Sequence, residues 1–172
     1  MTNMNKNPYK LCVAPMMGHT DLHFRYLLRL ISKKTMLYTE MVASNAILHN
    51  KSQKFNKLLH IKDEPVGFQL GGDSPVKLAQ CAQIVESHGY NEINLNIGCP
   101  SKRAQSGNFG ACLFDQPKLV ASCVREISRV TNLPITVKTR LGIDNIDNIK
   151  HLQNFINIVS SEGVNTFHLH AR

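Results

Sequence analysis

The chain has 172 residues, 42% hydrophobic and 19% charged, with a formal net charge of +8, the balance of an ordinary globular protein and not of a fibrous, disordered or membrane one. No apolar run reaches the roughly 18–20 residues that span a bilayer, and the Asn- and Lys-containing N-terminus lacks the apolar core of a signal peptide. A cytoplasmic protein with no membrane partner is therefore expected. The five cysteines are widely spaced with no C-x-x-C pair, which predicts reduced thiols and no metal site, while the positive charge favours a polyanion such as nucleic acid.

Residues 1–10 show no periodicity and are expected to form a flexible lead-in to one domain over 11–172. The apolar run from Leu11 to Gly18, stopped by Pro15 and Gly18, predicts a first buried strand. Asp21 can cap the helix that follows, whose apolar residues Phe24, Leu27, Leu28 and Ile31 recur at helical spacing. Arg25, Arg29, Lys33 and Lys34 fall largely off that stripe and are expected to face solvent. A second strand is expected over Met36–Val42, then a polar or helical connection through Lys51, Lys54 and Lys57. Val66 to Gly72 alternates large apolar residues with Gly67, Gln69 and Gly71, predicting a third strand with Gln69 on its polar side. Ser74 or Asp73, with Pro75, opens a helix that stops near Gly89.

The next stretch, Glu92-Ile93-Asn94-Leu95-Asn96-Ile97-Gly98-Cys99-Pro100-Ser101, organises the rest. Ile93, Leu95 and Ile97 alternate with Asn94 and Asn96, so the strand buries one face and aims two carboxamides at the other. Gly98 allows a turn or a close approach, and Pro100 restrains Cys99 to extended geometry. Two carboxamides on so apolar a strand are costly to bury without a partner, and a ligand is the natural one. After a glycine-punctuated loop come a helix from about Gln116 to Val130, a strand over Pro134–Arg140, a helix ending near Gly163, and a final strand from Thr166. Thr136, Lys138 and Arg140 share one face of their strand, and His168, His170 and Arg172 one face of theirs.

Strand and helix signals alternate throughout, which predicts a parallel sheet. Polar residues fall repeatedly toward the C-terminal strand ends: Glu40, Gln69, Asn96 with Cys99, Lys138 with Arg140, His168 with His170. That is where a (β/α)8 barrel builds its active site. An open doubly wound sheet generally binds around one switch point, and neither a G-x-G-x-x-G nor a P-loop motif is present. The fold class expected is α/β, a (β/α)8 TIM barrel truncated after about six β/α units.

The segments Ala14-Pro15-Met16-Met17, Tyr38-Thr39-Glu40-Met41, Gln69-Leu70-Gly71-Gly72, Glu92 through Ser101, Phe109 through Leu113, Val137-Lys138-Thr139-Arg140 and His170-Ala171-Arg172 together resemble the tRNA-dihydrouridine synthases, A subgroup. The resemblance implies an FMN enzyme that reduces the C5=C6 bond of D-loop uridines in tRNA with electrons from NADPH. It also implies that Pro15, Met16, Met17, Gln69, Lys138 and His170 hold the flavin, that Asn96 contacts the target uracil, and that Cys99 gives the proton. Lys102 and Arg103, just beyond, are candidates for tRNA phosphate. The chemistry agrees with the residues: hydride addition at C6 leaves negative charge toward C5, and a positioned acid must quench it. No metal and no obligate protein partner are implied.

A (β/α)8 barrel takes about 250 residues, with its phosphate site usually after strands seven and eight. Six strands therefore predict an open barrel with exposed edges and weak FMN retention. Two alternatives stand beside the oxidoreductase: an inactive remnant that binds RNA weakly, and a flavin barrel acting on free pyrimidines.

Overall fold

The computed structural model describes residues 9–49, 64–101, 104, 106–143 and 148–171. Its strands are β1 (Cys12–Val13), β2 (Met36–Tyr38), β3 (Val42–Ala43), β4 (Val66–Gly71), β5 (Glu92–Ile97), β6 (Ile135–Arg140) and β7 (Phe167–His170). Its helices are α1 (Leu22–Ile31), α2 (Ser44–His49), α3 (Pro75–Ser87), α4 (Pro117–Ser128) and α5 (Ile149–Ser160), with a 3-10 helix at Gly110–Asp115. These strands pair in parallel, in the order β1-β2-β4-β5-β6-β7, with β3 beside the end of β4.

Local chemistry accounts for the helix starts. Asp21 accepts from the Phe24 N–H and Asn148 from the His151 N–H, both at 2.9 Å, and Ser74 caps α3. Each cap contributes about 1 kcal/mol. Pro75 and Pro117 occupy first-turn positions, where a missing N–H costs nothing.

Alternation then builds the core. Phe68, Leu70, Ile93, Leu95 and Val137 point to one face of the sheet and are buried with Leu78, Val85, Val124, Ile127, Phe155 and Val159 of α3, α4 and α5. Phe114 and Phe155 stack 5.0 Å apart, and Phe68 meets Tyr90 edge-on at 4.9 Å. The opposite face carries the polar residues, and a contact across it measures the curl of the sheet. The Tyr38 hydroxyl of β2 lies 3.0 Å from Nε2 of His168 on β7. Four strand spacings separate β2 from β7, about 19 Å on a flat sheet. The sheet is therefore wrapped with its polar face inward, as an incomplete (β/α)8 barrel.

Two expectations are corrected. The strand expected over Met36–Val42 divides into β2 and β3, because the Thr39 hydroxyl takes the place of a ladder carbonyl, accepting the Gln69 N–H at 3.1 Å. Glu40 meanwhile turns its carboxylate to the Gly18 N–H. A short helix, α2, follows β3 with Ser44 and Ile47 buried; Lys51, Lys54 and Lys57 lie outside the described residues. Finally, α1 does not turn its two arginines to solvent, whereas Lys33 and Lys34, beyond its end, are exposed as expected. Arg25 is only 1% exposed and donates to the Thr20 carbonyl, and Arg29 donates to the carbonyls of Ser32, Thr35 and Pro65. Leu27, Leu30 and Ile31 are exposed instead.

Among the described residues no helix is long and apolar enough to cross a membrane.

Candidate active site

Register brings the polar side chains together. Gln69 pairs with Asn94, Asn94 with Thr136, Asn96 with Lys138, and Lys138 with His168, so a layered polar surface spans four neighbouring strands. The lowest layer is Glu92, 1% exposed, whose carboxylate accepts from the hydroxyls of Tyr9 (2.7 Å), Tyr38 (2.8 Å) and Thr136. Burial pushes this carboxyl above its ordinary range, and the three donors pull against that rise. Tyr38 can lie across β4 because residue 67 is glycine: a Cβ there would stand 2.6 Å from the Tyr38 ring. His168 closes the layer, edge-on to both tyrosines. Burial, with Lys138 nearby, holds its imidazole below the usual histidine range.

Above this floor lie the amides. The Asn94 side chain donates to Thr136 Oγ1 at 2.8 Å and accepts from Gln69 Nε2 at 2.7 Å. Gln69 Oε1 accepts from Asn96 Nδ2 at 2.9 Å. Asn94 is wholly buried and satisfied within the protein, which overturns the expectation that a ligand is its partner. Its partners come from the strands on either side, which a reading of β5 alone does not contain.

At the mouth, Asn96 folds the turn that carries the thiol. Its Oδ1 accepts the backbone N–H of Gly98 (3.2 Å) and of Cys99 (2.9 Å). The far side of that turn is gripped by the glycine loop, where the Ala111 N–H donates to the Cys99 carbonyl at 2.9 Å. Gly110, at φ +81, is essential to this approach, since a Cβ would stand 2.5 Å from the same oxygen. The Cys99 thiol is partly exposed and bonds Ser101 Oγ at 3.3 Å. Lys138 sits across the register from Asn96. Burial lowers its pKa, the Arg140 cation lowers it further, and the electrostatic pull of the Cys99 sulfur opposes both.

Pro15, Met16 and Met17 occupy the loop at the C-terminal end of β1, with Met17 60% exposed. The loop is closed by Thr20, whose hydroxyl accepts the Met16 N–H and whose own N–H meets the Met16 carbonyl. The bond from Gly18 to Glu40 ties it to the end of β2. His170, on the edge strand opposite Arg140, is exposed. Thus Gln69, Asn96, Cys99 and Lys138 form one cluster, Pro15, Met16 and Met17 flank it from a tethered loop, and His170 stands at the open edge. Lys102 and Arg103 lie outside the described residues.

Sequence reasoning assigned no role to Glu92, Tyr38, Thr136 or Tyr9. A signal was available in the two-residue polar period on β4, β5 and β6, which aligns once the strands are set side by side. The donor set suits an anionic, acceptor-rich ligand such as a flavin. Lys138 and Arg140 have no carboxylate partner among the described residues, and Arg140 Nε is buried without a hydrogen bond. No group of three or more His, Cys, Asp or Glu is gathered as for a metal among those residues.

A family model described as dihydrouridine synthase matches residues 12–172. The tRNA-dihydrouridine(20/20a) synthase of Synechocystis sp. is 54% identical over 164 residues, covering 94% of this chain and 48% of that protein. The proteins of the same name from Escherichia coli K12 and Vibrio parahaemolyticus are 52% and 49% identical, each match covering 95% of this chain and 47% and 50% of the relative. The chain thus spans about half the length of the curated relatives it matches.

Proposed function

Since the chain belongs to the dihydrouridine synthase family, we propose that it carries the catalytic face of a flavin-dependent oxidoreductase that reduces the C5=C6 bond of D-loop uridines in cytoplasmic tRNA, with FMN as its cofactor and NADPH as electron donor. The observation that carries this reading is the clamp of Asn96 Oδ1 on the Cys99 N–H, which holds an amide and a thiol at one strand end beside Lys138.

Bound there, FMN would supply the hydride that adds to uracil C6. Gln69 and Lys138 would face its ring, with Pro15, Met16 and Met17 contributing from the β1 loop and His170 from the edge strand. Asn96 would orient the uracil through its remaining N–H. The Cys99 S–H would then break, its proton passing to C5, with the S–H pair remaining on sulfur as the thiolate. Lys138 stands within electrostatic reach of that sulfur and would stabilise the thiolate until solvent returns the proton. A stacked uridine must first be drawn out of the tRNA, and Lys102 and Arg103 would contribute phosphate contacts.

The test incubates the protein with FMN, NADPH and unmodified tRNA, and reads the gain of two hydrogens per uridine by nucleoside mass spectrometry, with free uracil in a parallel reaction. Reduction of tRNA uridines alone is expected. Reduction of uracil in preference to tRNA, or of neither, would overturn the proposal.

A further inference from the structure

The hydrogen bonds that join the floor of the barrel to the Cys99 turn all point one way. The Cys99 N–H donates to Asn96, Asn96 to Gln69, Gln69 to Asn94, Asn94 to Thr136, and Thr136 to Glu92. An amide side chain can ordinarily be turned end for end, with its neighbours turned to match. This chain cannot, because both ends are of fixed type. At the mouth stand two backbone N–H groups, which only donate, so Asn96 must show them oxygen. At the floor stands Glu92, whose carboxylate oxygens accept from Tyr9 and Tyr38, so the Thr136 hydroxyl must donate its hydrogen bond to it. Each amide between is left one orientation.

We propose that Glu92 is a positioning residue, acting through Thr136, Asn94 and Gln69 and together with the backbone N–H groups of the Cys99 turn to hold the atoms that Asn96 and Gln69 present at the mouth. The consequence is a definite recognition rule. Both lone pairs of Asn96 Oδ1 are taken by Gly98 and Cys99, and one Nδ2 hydrogen by Gln69. A single N–H is left, and Asn96 therefore selects an acceptor such as a carbonyl oxygen and rejects an N–H. Identifying that acceptor as a uracil carbonyl rests on the proposed function, whereas the polarity of the relay does not. The same relay ties the Cys99 backbone to the floor, so a change at Glu92 or Thr136 reaches the turn with neither residue touching it.

The test uses the isotope-labelled chain without flavin or RNA, so that it stands apart from the enzymatic reading. Scalar couplings across hydrogen bonds report direction in the wild type: from Cys99 N to Asn96 Cγ, from Asn96 Nδ2 to Gln69 Cδ, and from Gln69 Nε2 to Asn94 Cγ. Reversed couplings overturn the proposal, whatever becomes of any variant. Thr136→Val keeps the shape and removes the hydroxyl, whereas Thr136→Ser keeps the hydroxyl and removes a methyl. The relay predicts that Thr136→Val speeds exchange of the side-chain N–H of Asn94, Gln69 and Asn96, and of the Cys99 N–H, by about tenfold, the scale of one ordinary hydrogen bond. Thr136→Ser should match wild type. A purely packing role predicts the opposite order, and an effect that stops at Asn94 likewise refutes the relay. Glu92→Gln should move the same signals; if they stay still while Thr136→Val moves them, Glu92 is not the anchor.

Discussion

Replacing Gly110 by alanine isolates the grip on the cysteine turn. Two costs can be separated. At φ +81 an L-residue costs about 1–2 kcal/mol. The new methyl would also stand 2.5 Å from the Cys99 carbonyl oxygen and within 3.3 Å of Cys99 Cβ and Ala104 Cβ. That oxygen belongs to the backbone and is held by the Ala111 N–H, so no rotamer change relieves the collision. The turn must shift or lose that hydrogen bond, adding roughly 1–2 kcal/mol. Gly163 supplies the control: its φ is +97 and nothing lies within 4 Å of an added Cβ, so Gly163→Ala carries the conformational cost alone. Urea unfolding followed by circular dichroism should give a loss of about 2–4 kcal/mol for Gly110→Ala and about 1–2 for Gly163→Ala. Dihydrouridine formation should fall about 10²-fold in Gly110→Ala, since a displacement of about 1 Å in a reacting group has that effect, and stay unchanged in Gly163→Ala. Equal destabilisation by the two would refute the wedge between Gly110 and the Cys99 carbonyl.

With FMN supplied in solution, Cys99→Ala should bind it as the wild type does and leave its reduction by NADPH unchanged, while single-turnover dihydrouridine formation drops by about 10²-fold or more, the scale of general acid catalysis; a wild-type rate would pass the acid role to another group or to water. Asn96→Ala should depress the tRNA step and leave flavin reduction unchanged, as stopped-flow absorbance would show. Substituting Lys102 and Arg103 together by alanine should flatten the dependence of tRNA affinity on salt, measured by filter binding across a salt series. His168, facing Tyr38, Tyr9 and Lys138, has a folded pKa below its unfolded value of about 6.5. The unfolded state thus binds more protons as pH falls below about 6.5, and stability contributed by the neutral ring is lost through the folded pKa. His168→Gln should weaken this acid dependence in urea midpoints compared across pH, and an unchanged dependence would assign it to other groups.

Local sequence determined much of this protein. The helical period and the caps Asp21, Ser74 and Asn148 define helix starts from within a few residues, and the alternation at Ile93–Ile97 defines a strand with one polar face. The cluster of polar residues at the C-terminal strand ends was legible for the same reason, since two-residue alternation assigns a face without knowledge of the neighbours. What only the tertiary structure decided is whom those residues meet. Asn94 binds Gln69 and Thr136, over 25 and 42 residues of chain, because parallel register sets them side by side. Glu92 gains Tyr9 and Tyr38 because the sheet curls and residue 67 has no side chain to block the ring. Arg25 is buried with its guanidinium donating to the Thr20 carbonyl of the neighbouring turn, a contact that helical periodicity does not record. Hydrogen-bond satisfaction is settled between strands and across turns, and it becomes defined only when the sheet has paired and curled.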